Sequence, residues 1–166
     1  MNISIPKFIY ILTDGILRLF VNIFVSSEAI SRRLHFERVK IFNDRPMDYA
    51  MKTLGTIHDR ASSMVAHLSL MLALCMFTVQ SKRIVAGSAE YYIVIADALI
   101  YMLLVILSIR ALRSFGLDKD YKNKDEYLSK IDSELTYKYQ IMELVNSVTI
   151  IATITLVIAL GLAFGK

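Results

Sequence analysis

"HDRASSMVAHLSLMLALCMFTVQSKR", residues 58–83, decides the fold. The 21 residues between Arg60 and Lys82 carry no fixed charge. As a helix rising 1.5 Å per residue they cover roughly 30 Å, the thickness of a bilayer's hydrocarbon core. A soluble core helix rarely stays uncharged for so long. The pattern recurs twice. "YYIVIADALIYMLLVILSI", residues 91–109, lies between Glu90 and Arg110 with one charge, Asp97. "LVNSVTIIATITLVIALGLAF", residues 144–164, lies between Glu143 and Lys166 with none. Three such segments in 166 residues predict an all-α integral membrane protein. The 55% hydrophobic content and mean hydropathy of +0.50 agree.

Composition also excludes options. Beside three spans, the chain has no room for a separate catalytic domain. Its one cysteine, Cys75, falls within the first strong span, so no intramolecular disulfide can form. His35, His58 and His67 show no metal-binding spacing, and neither a Gly-rich phosphate loop nor a nucleophile elbow is present. "HDR" at 58–60 has the letters of a kinase catalytic triplet without its companion motifs, and reads as charge flanking a span. No enzyme activity, metal or cofactor is expected. The net charge of +4 would suggest nucleic acid in a soluble protein, but here it follows from charges flanking the spans, so no direct nucleic-acid binding is expected.

The amino-terminal segment is ambiguous. "IPKFIYILTDGILRLFVNIFVSS", residues 5–27, is apolar except for a narrow helical stripe containing Lys7, Asp14, Arg18 and Asn22. Asp14 and Arg18 form an i, i+4 pair. The segment either spans, with the stripe turned toward the protein, or lies in the interface as an amphipathic helix. A cleaved signal peptide does not fit, because charges interrupt the apolar run.

Charge distribution orients the chain. Residues 27–60 carry seven Lys/Arg, and residues 110–143 carry seven more. The positive-inside rule makes 28–60 and 110–143 cytoplasmic and the 81–90 turn external. The architecture is then a four-helix membrane bundle if 5–27 spans, or three spans (61–81, 91–109, 144–164) plus an interfacial helix.

The cytoplasmic segments read as helices. Asn123 with Glu126 is a variant capping box, and Leu128, Ile131, Leu135, Tyr139 and Met142 form an apolar stripe. Nothing breaks this pattern before the last span, which predicts one helix over 124–164, about 60 Å long. Pro46 suits a first helical turn, after which Met47, Ala50, Met51, Leu54 and Ile57 form a second stripe running into the first strong span. Ser27 is a candidate cap for a helix carrying Ile30, Leu34 and Val39 or Ile41. "NDRP" at 43–46 reads as a corner, and Gly116 as a helix end. The spans thus extend into a cytoplasmic helical stalk. Its stripes, with Leu128, Ile131, Leu135, Tyr139, Met142, Met47, Met51 and Leu54 as interface candidates, are covered within the chain, by another subunit, or by both.

Polar residues inside spans are functional candidates by default. His67 lies about 9 Å inside the cytoplasmic end of its span, and Asp97 about 9–10 Å inside the outer end of the next. The difference in depth argues against a His67–Asp97 pair. Asp97 is matched in depth by Thr153 or Thr155. A protonated aspartate bonded to a hydroxyl, and a neutral histidine bonded to a serine, are the structural alternatives to function. Ser62, Ala66, Ser69 and Ala73, together with Ala159/Ala163 and Gly161/Gly165, mark faces that permit close helix contact.

"IHDRASSMVAHLSLMLALCMF" resembles the opening span of small bacterial phage-defence membrane effectors, the Pycsar transmembrane effectors and related SLATT-like proteins, in its polar, small-residue approach to a span. "SELTYKYQIMELVNSVTIIATI" resembles the approach to their last span. The resemblance covers about residues 50–164. The sequence departs from the pattern in its short segment between the last spans and its additional amino-terminal apolar helix. The resemblance implies an infection-triggered protein that impairs the bacterial inner membrane, permeabilising or depolarising it, when a cytoplasmic protein partner or a nucleotide second messenger releases it; the apolar stripes of the stalk add the expectation of a homo-oligomer. A small ion channel or proton-coupled transporter using Asp97 and His67, and a passive membrane anchor, are the alternative readings.

The charge distribution makes a topological prediction. In a Cys75→Ser background, Gly87→Cys should react with an impermeant thiol reagent from outside and Asp120→Cys only from inside. Labelling of position 120 from the periplasm would reverse the orientation.

Overall fold

The structure, a computed structural model, describes residues 15, 17–42, 45–81, 84–113 and 124–164. Among these residues it is all-helical. The helices are α1 (17–24), α2 (Ser27–Phe42), α3 (Pro46–Gln80), α4 (Ala89–Leu112) and α5 (Lys124–Phe164). Three of them, α3, α4 and α5, are long and apolar enough to cross a membrane, and the protein is a multi-pass membrane protein. Asp14, Gly116, Asn123 and Gly165 lie outside the described residues.

Local chemistry sets the helix ends. Ser88 caps α4, its hydroxyl accepting the Tyr91 amide proton at 3.2 Å. At α2 the cap is Ser26, one residue earlier than the expected Ser27, with the Ala29 amide 3.4 Å from its hydroxyl. Pro46 is the first residue of α3. Gly55 does not interrupt α3, because its cost of about 1 kcal/mol is small against a cooperative helix of 35 residues. The expected continuity of the last helix holds, with 41 residues in α5.

The chain divides into two compact units. One contains α3 from Gly55, α4, and α5 from Val145. Each helix in it buries positions alternating in steps of three and four. On α3 these are Ala61, Leu68, Cys75 and Thr78, with Met64 and Met71 half-buried between them. On α4 they are Val94, Asp97, Tyr101, Leu104, Ser108 and Ala111. On α5 they are Val145, Thr149, Ala152, Leu156 and Ala159. This 3.5-residue period is the signature of helices packed along a heptad seam. Small residues among these positions let backbones approach closely, as membrane helices require.

The other unit contains α1, α2, α3 up to Leu54, and α5 up to Leu144. Here α5 is buried nearly all round. Ile131, Leu135, Tyr139 and Met142 are all at most 9% exposed, as are Tyr137, Lys138, Gln140 and Ile141. The four stripe residues proposed as an interface are therefore already covered by the chain itself, and only Leu128 is half-buried. The expected stripe on α3 is also displaced. Tyr49, Ala50 and Ile57 are buried, Leu54 is half-buried, and Met47 and Met51 are exposed. The buried Tyr49 ring takes the place expected for Met47 and Met51, so the helix presents a face rotated by part of a turn.

Paired side chains give the direction of α1 and α2 within this unit. Arg18 bonds Glu134, while Asn22 and the Val25 carbonyl accept from Gln140, so α1 runs parallel to α5. Arg33 lies over Tyr139, and Arg38 bonds Asp132 at 2.7 Å, so α2 returns antiparallel. The elbow at Val25–Ser26 sits at the level of Gln140.

Two consequences can be measured. Gly87 has φ of 88°, a conformation that strains any side chain, so the exposed Ala86 in the same turn is the better site for the external cysteine label. Gln140 is 3% exposed and donates to Asn22 Oδ1 at 2.8 Å and to the Val25 carbonyl at 2.9 Å. Gln140→Leu should cost on the order of 1–3 kcal/mol by leaving these acceptors without their donor. Hydrogen exchange in residues 17–26 should accelerate, with little change in α4; unchanged exchange there would remove Gln140 as the fastening of the elbow.

Candidate functional site

Asp97 is 3% exposed on α4 and faces α5. Thr155 Oγ1 lies 2.9 Å from Asp97 Oδ1 and 3.2 Å from Oδ2, and also 2.8 Å from the Ala152 carbonyl. One turn further along α4, the Tyr101 hydroxyl is 3.3 Å from Thr153 Oγ1. Cys75 is one of the buried positions of α3. The sequence matched Asp97 in depth to Thr153 or Thr155, and the geometry divides the two threonines between Tyr101 and Asp97.

Proton counting defines what this seam can do. Thr155 has one hydroxyl proton and two sets of acceptors. If it donates to the carboxylate, the Ala152 carbonyl receives nothing from it. If Asp97 carries a proton, a complete chain forms, with the acid donating to Thr155 Oγ1 and Thr155 donating to the carbonyl. The seam thus joins α4 to α5 by the Asp97–Thr155 hydrogen bond in either protonation state, and loss of one proton turns the Thr155 hydroxyl from the Ala152 carbonyl to the carboxylate.

His67 is elsewhere. It is exposed on α3, eight residues before the buried Cys75, or about 12 Å along the helix. Asp97 and His67 therefore form no shared site. The outer face of α3 instead carries Ser62, Ala66, His67, Ser69 and Ala73, all exposed. The Ser69 hydroxyl is turned back to the Val65 carbonyl at 2.7 Å.

Arg18 belongs to a different group of side chains. Its guanidinium bonds Glu134 and lies 4.3 Å from the centre of the Tyr137 ring. Lys130 approaches the same carboxylate at 3.7 Å. Next to it, Arg33 is held above its ordinary pKa first by the Tyr139 phenol and then by the Glu37 carboxylate, which it meets at 3.3 Å. The wall between α1, α2 and α5 is an open depression of about 510 Å³, with Arg18, Arg32, Asn22, Thr136 and Gln140 among its lining. A phosphate entering it would meet guanidiniums already engaged, Arg18 by Glu134 and Arg32 by Glu28 at 3.2 Å. Sequence reading identified Arg18 but not Glu134, Tyr137 or Gln140, because their partners lie more than a hundred residues away.

The proton count can be tested by substitution. Asp97→Asn keeps a donor to Thr155 and should leave thermal stability in detergent within about 1 kcal/mol of the parent. Asp97→Leu deletes the interhelical bond and should lose about 0.6–2 kcal/mol. An Asn variant as unstable as the Leu variant would show that the ionised carboxylate is the stabilising form.

Comparison with protein families, curated proteins and solved structures gives no match, so a functional reading of this chain rests on its own side chains.

Proposed function

We propose that the chain is a three-span, non-enzymatic effector of a bacterial inner membrane that assembles into homo-oligomers and permeabilises or depolarises the membrane when triggered. Residues 28–60 and 110–143 are cytoplasmic in this reading, as their basic residues require. The described part of α1 belongs with them rather than with the spans. Its polar side chains Arg18 and Asn22 pair with Glu134 and Gln140, in the charged part of α5 that precedes Leu144.

The observation that carries assembly is the outer face of α3. Only 17% of its apolar window is buried, against 33% for α4 and for α5. The uncovered face carries a second run of small residues in steps of four and three, with His67 beside it. Hydrocarbon is a poor neighbour for an imidazole, and a second α3 can pair with it and pack on the small residues. The defence role and its trigger, a cytoplasmic protein or a nucleotide second messenger, rest on the resemblance of residues 50–164. The seam at Asp97 favours a second reading, a small proton-coupled channel or transporter, since a change in its protonation redirects the Thr155 hydroxyl between the carboxyl group and the Ala152 carbonyl.

The test combines mass and membrane potential. The protein in nanodiscs should have an oligomeric mass by light scattering, and its triggered expression should collapse the signal of a voltage-sensitive dye. Ala66→Leu adds bulk on an exposed position, so the monomer should fold while assembly and depolarisation both fall severalfold. A monomer in several detergents and in nanodiscs would overturn the effector reading. Solute-coupled proton movement without growth arrest, abolished by Asp97→Asn, would favour the transporter.

A further inference from the structure

We infer that the elbow between α1 and α2 is a membrane-surface anchor, in which Phe20, Ile23 and Phe24 of α1 insert among the headgroups and uppermost acyl carbons of the cytoplasmic leaflet. The inference rests on the three-span reading above, because it needs the charged part of α5 to lie outside the hydrocarbon.

The first observation is that α1 is inside out. Its polar side chains Arg18 and Asn22 turn toward α5, along with the fully buried Val21. Its apolar side chains turn away: Leu19 is 69% exposed, Phe20 47%, Ile23 76% and Phe24 62%. The Phe20 and Phe24 rings stack on each other at 4.9 Å between centroids, on the outside of the unit. A helix in water would reverse this arrangement.

The second observation is height. The elbow is fastened to Gln140 by the bonds to Asn22 and the Val25 carbonyl. Leu144, where the uncharged run of α5 begins, is four residues further on, or about 6 Å along the axis. The parallel course of α1 puts Ile23 and Phe24 closest to that level and Leu19 about one turn farther from it. The apolar face therefore ends within about one helical turn of the level of Leu144, at the depth where aromatic side chains favour the interface.

Charge does not drive the contact. Around the elbow, Arg32 is paired with Glu28 and Arg33 with Glu37, so this part of α2 is neutral overall. Apolar insertion should then proceed equally well into zwitterionic and anionic leaflets.

The experiment uses the full chain, with Cys75→Ser and one reporter cysteine at a time: Leu19→Cys, Ile23→Cys, or Phe36→Cys on exposed α2 as a control. Each is labelled with an environment-sensitive fluorophore and reconstituted in phosphatidylcholine vesicles, with or without phosphatidylglycerol. Nitroxide quenchers are placed on the headgroup, high on the acyl chain, or near its end. At Ile23 the headgroup and upper-chain quenchers should act severalfold more strongly than at Phe36, Leu19 should be intermediate, and phosphatidylglycerol should make no difference. Strongest quenching by the chain-end probe would mean that α1 spans, and would overturn the inference. Shielding from both lipid quenchers and aqueous iodide would mean that another copy covers the face, and would equally overturn it. Free quenching by iodide at Ile23 would do the same. The oligomeric mass and the dye signal are independent readouts, so the anchor can stand in a protein that proves monomeric and silent. The three exposed reporter sites should each tolerate cysteine, and agreement of their circular dichroism with the parent secures the comparison.

Discussion

The rest of the structure depends on one constraint, that α5 must be buried along a single line from its charged end to its apolar end. Ile131, Leu135, Lys138, Met142, Val145, Thr149, Ala152, Leu156 and Ala159 are all buried, in alternating steps of four and three. A straight helix of 3.6 residues per turn drifts about 20° per heptad against such a pattern. Keeping this line buried therefore demands partners whose own positions repeat at 3.5. In the unit from Gly55, α3 and α4 meet that demand with their own alternating positions. The chemistry of the line changes at Leu144 while its geometry does not. Before it, Lys138 is buried and the neighbouring Gln140 is bonded to Asn22 and the Val25 carbonyl; after it, the seam is made of small and apolar groups with isolated hydroxyls.

Much of this was legible in the sequence. Length and the absence of charge were enough to identify three long apolar helices, because the bilayer's thickness fixes how many residues must stay uncharged. The continuity of α5 followed from the absence of any breaker. The faces were harder. Met47 and Met51 looked like core because they are apolar, yet Tyr49 is buried in their place, and a tyrosine's ring and hydroxyl only show their use once a partner helix is present. Lys138 and Gln140 are polar and fall outside the apolar stripe, yet both are buried. Sequence periodicity records which side chains dislike water; it does not record which polar side chains have found partners a hundred residues away.

The same limit applies to the polar groups of the spans. Depth along each helix was enough to separate His67 from Asp97 and to bring Asp97 to the threonines of α5. It could not say that the two threonines would serve different partners, nor that Thr155 would also face the Ala152 carbonyl. His67 looked equivalent to Asp97 as an intramembrane polar residue. The structure distinguishes them, with the carboxyl buried in a hydrogen-bonded seam and the imidazole on an uncovered face.

The unbroken backbone of α5 has a mechanical consequence. Its residues 124–160 contain neither proline nor glycine, the usual sites of a sharp kink. Such a rod cannot absorb an angular displacement at a hinge. Within each unit a twist of α5 is carried along the axis as torque, so that in the unit from Val145 a rotation of the helix would move Thr155, the side chain that holds Asp97. A motion of the helix inside one unit is therefore torsional or axial, a turn of the heptad line rather than a bend.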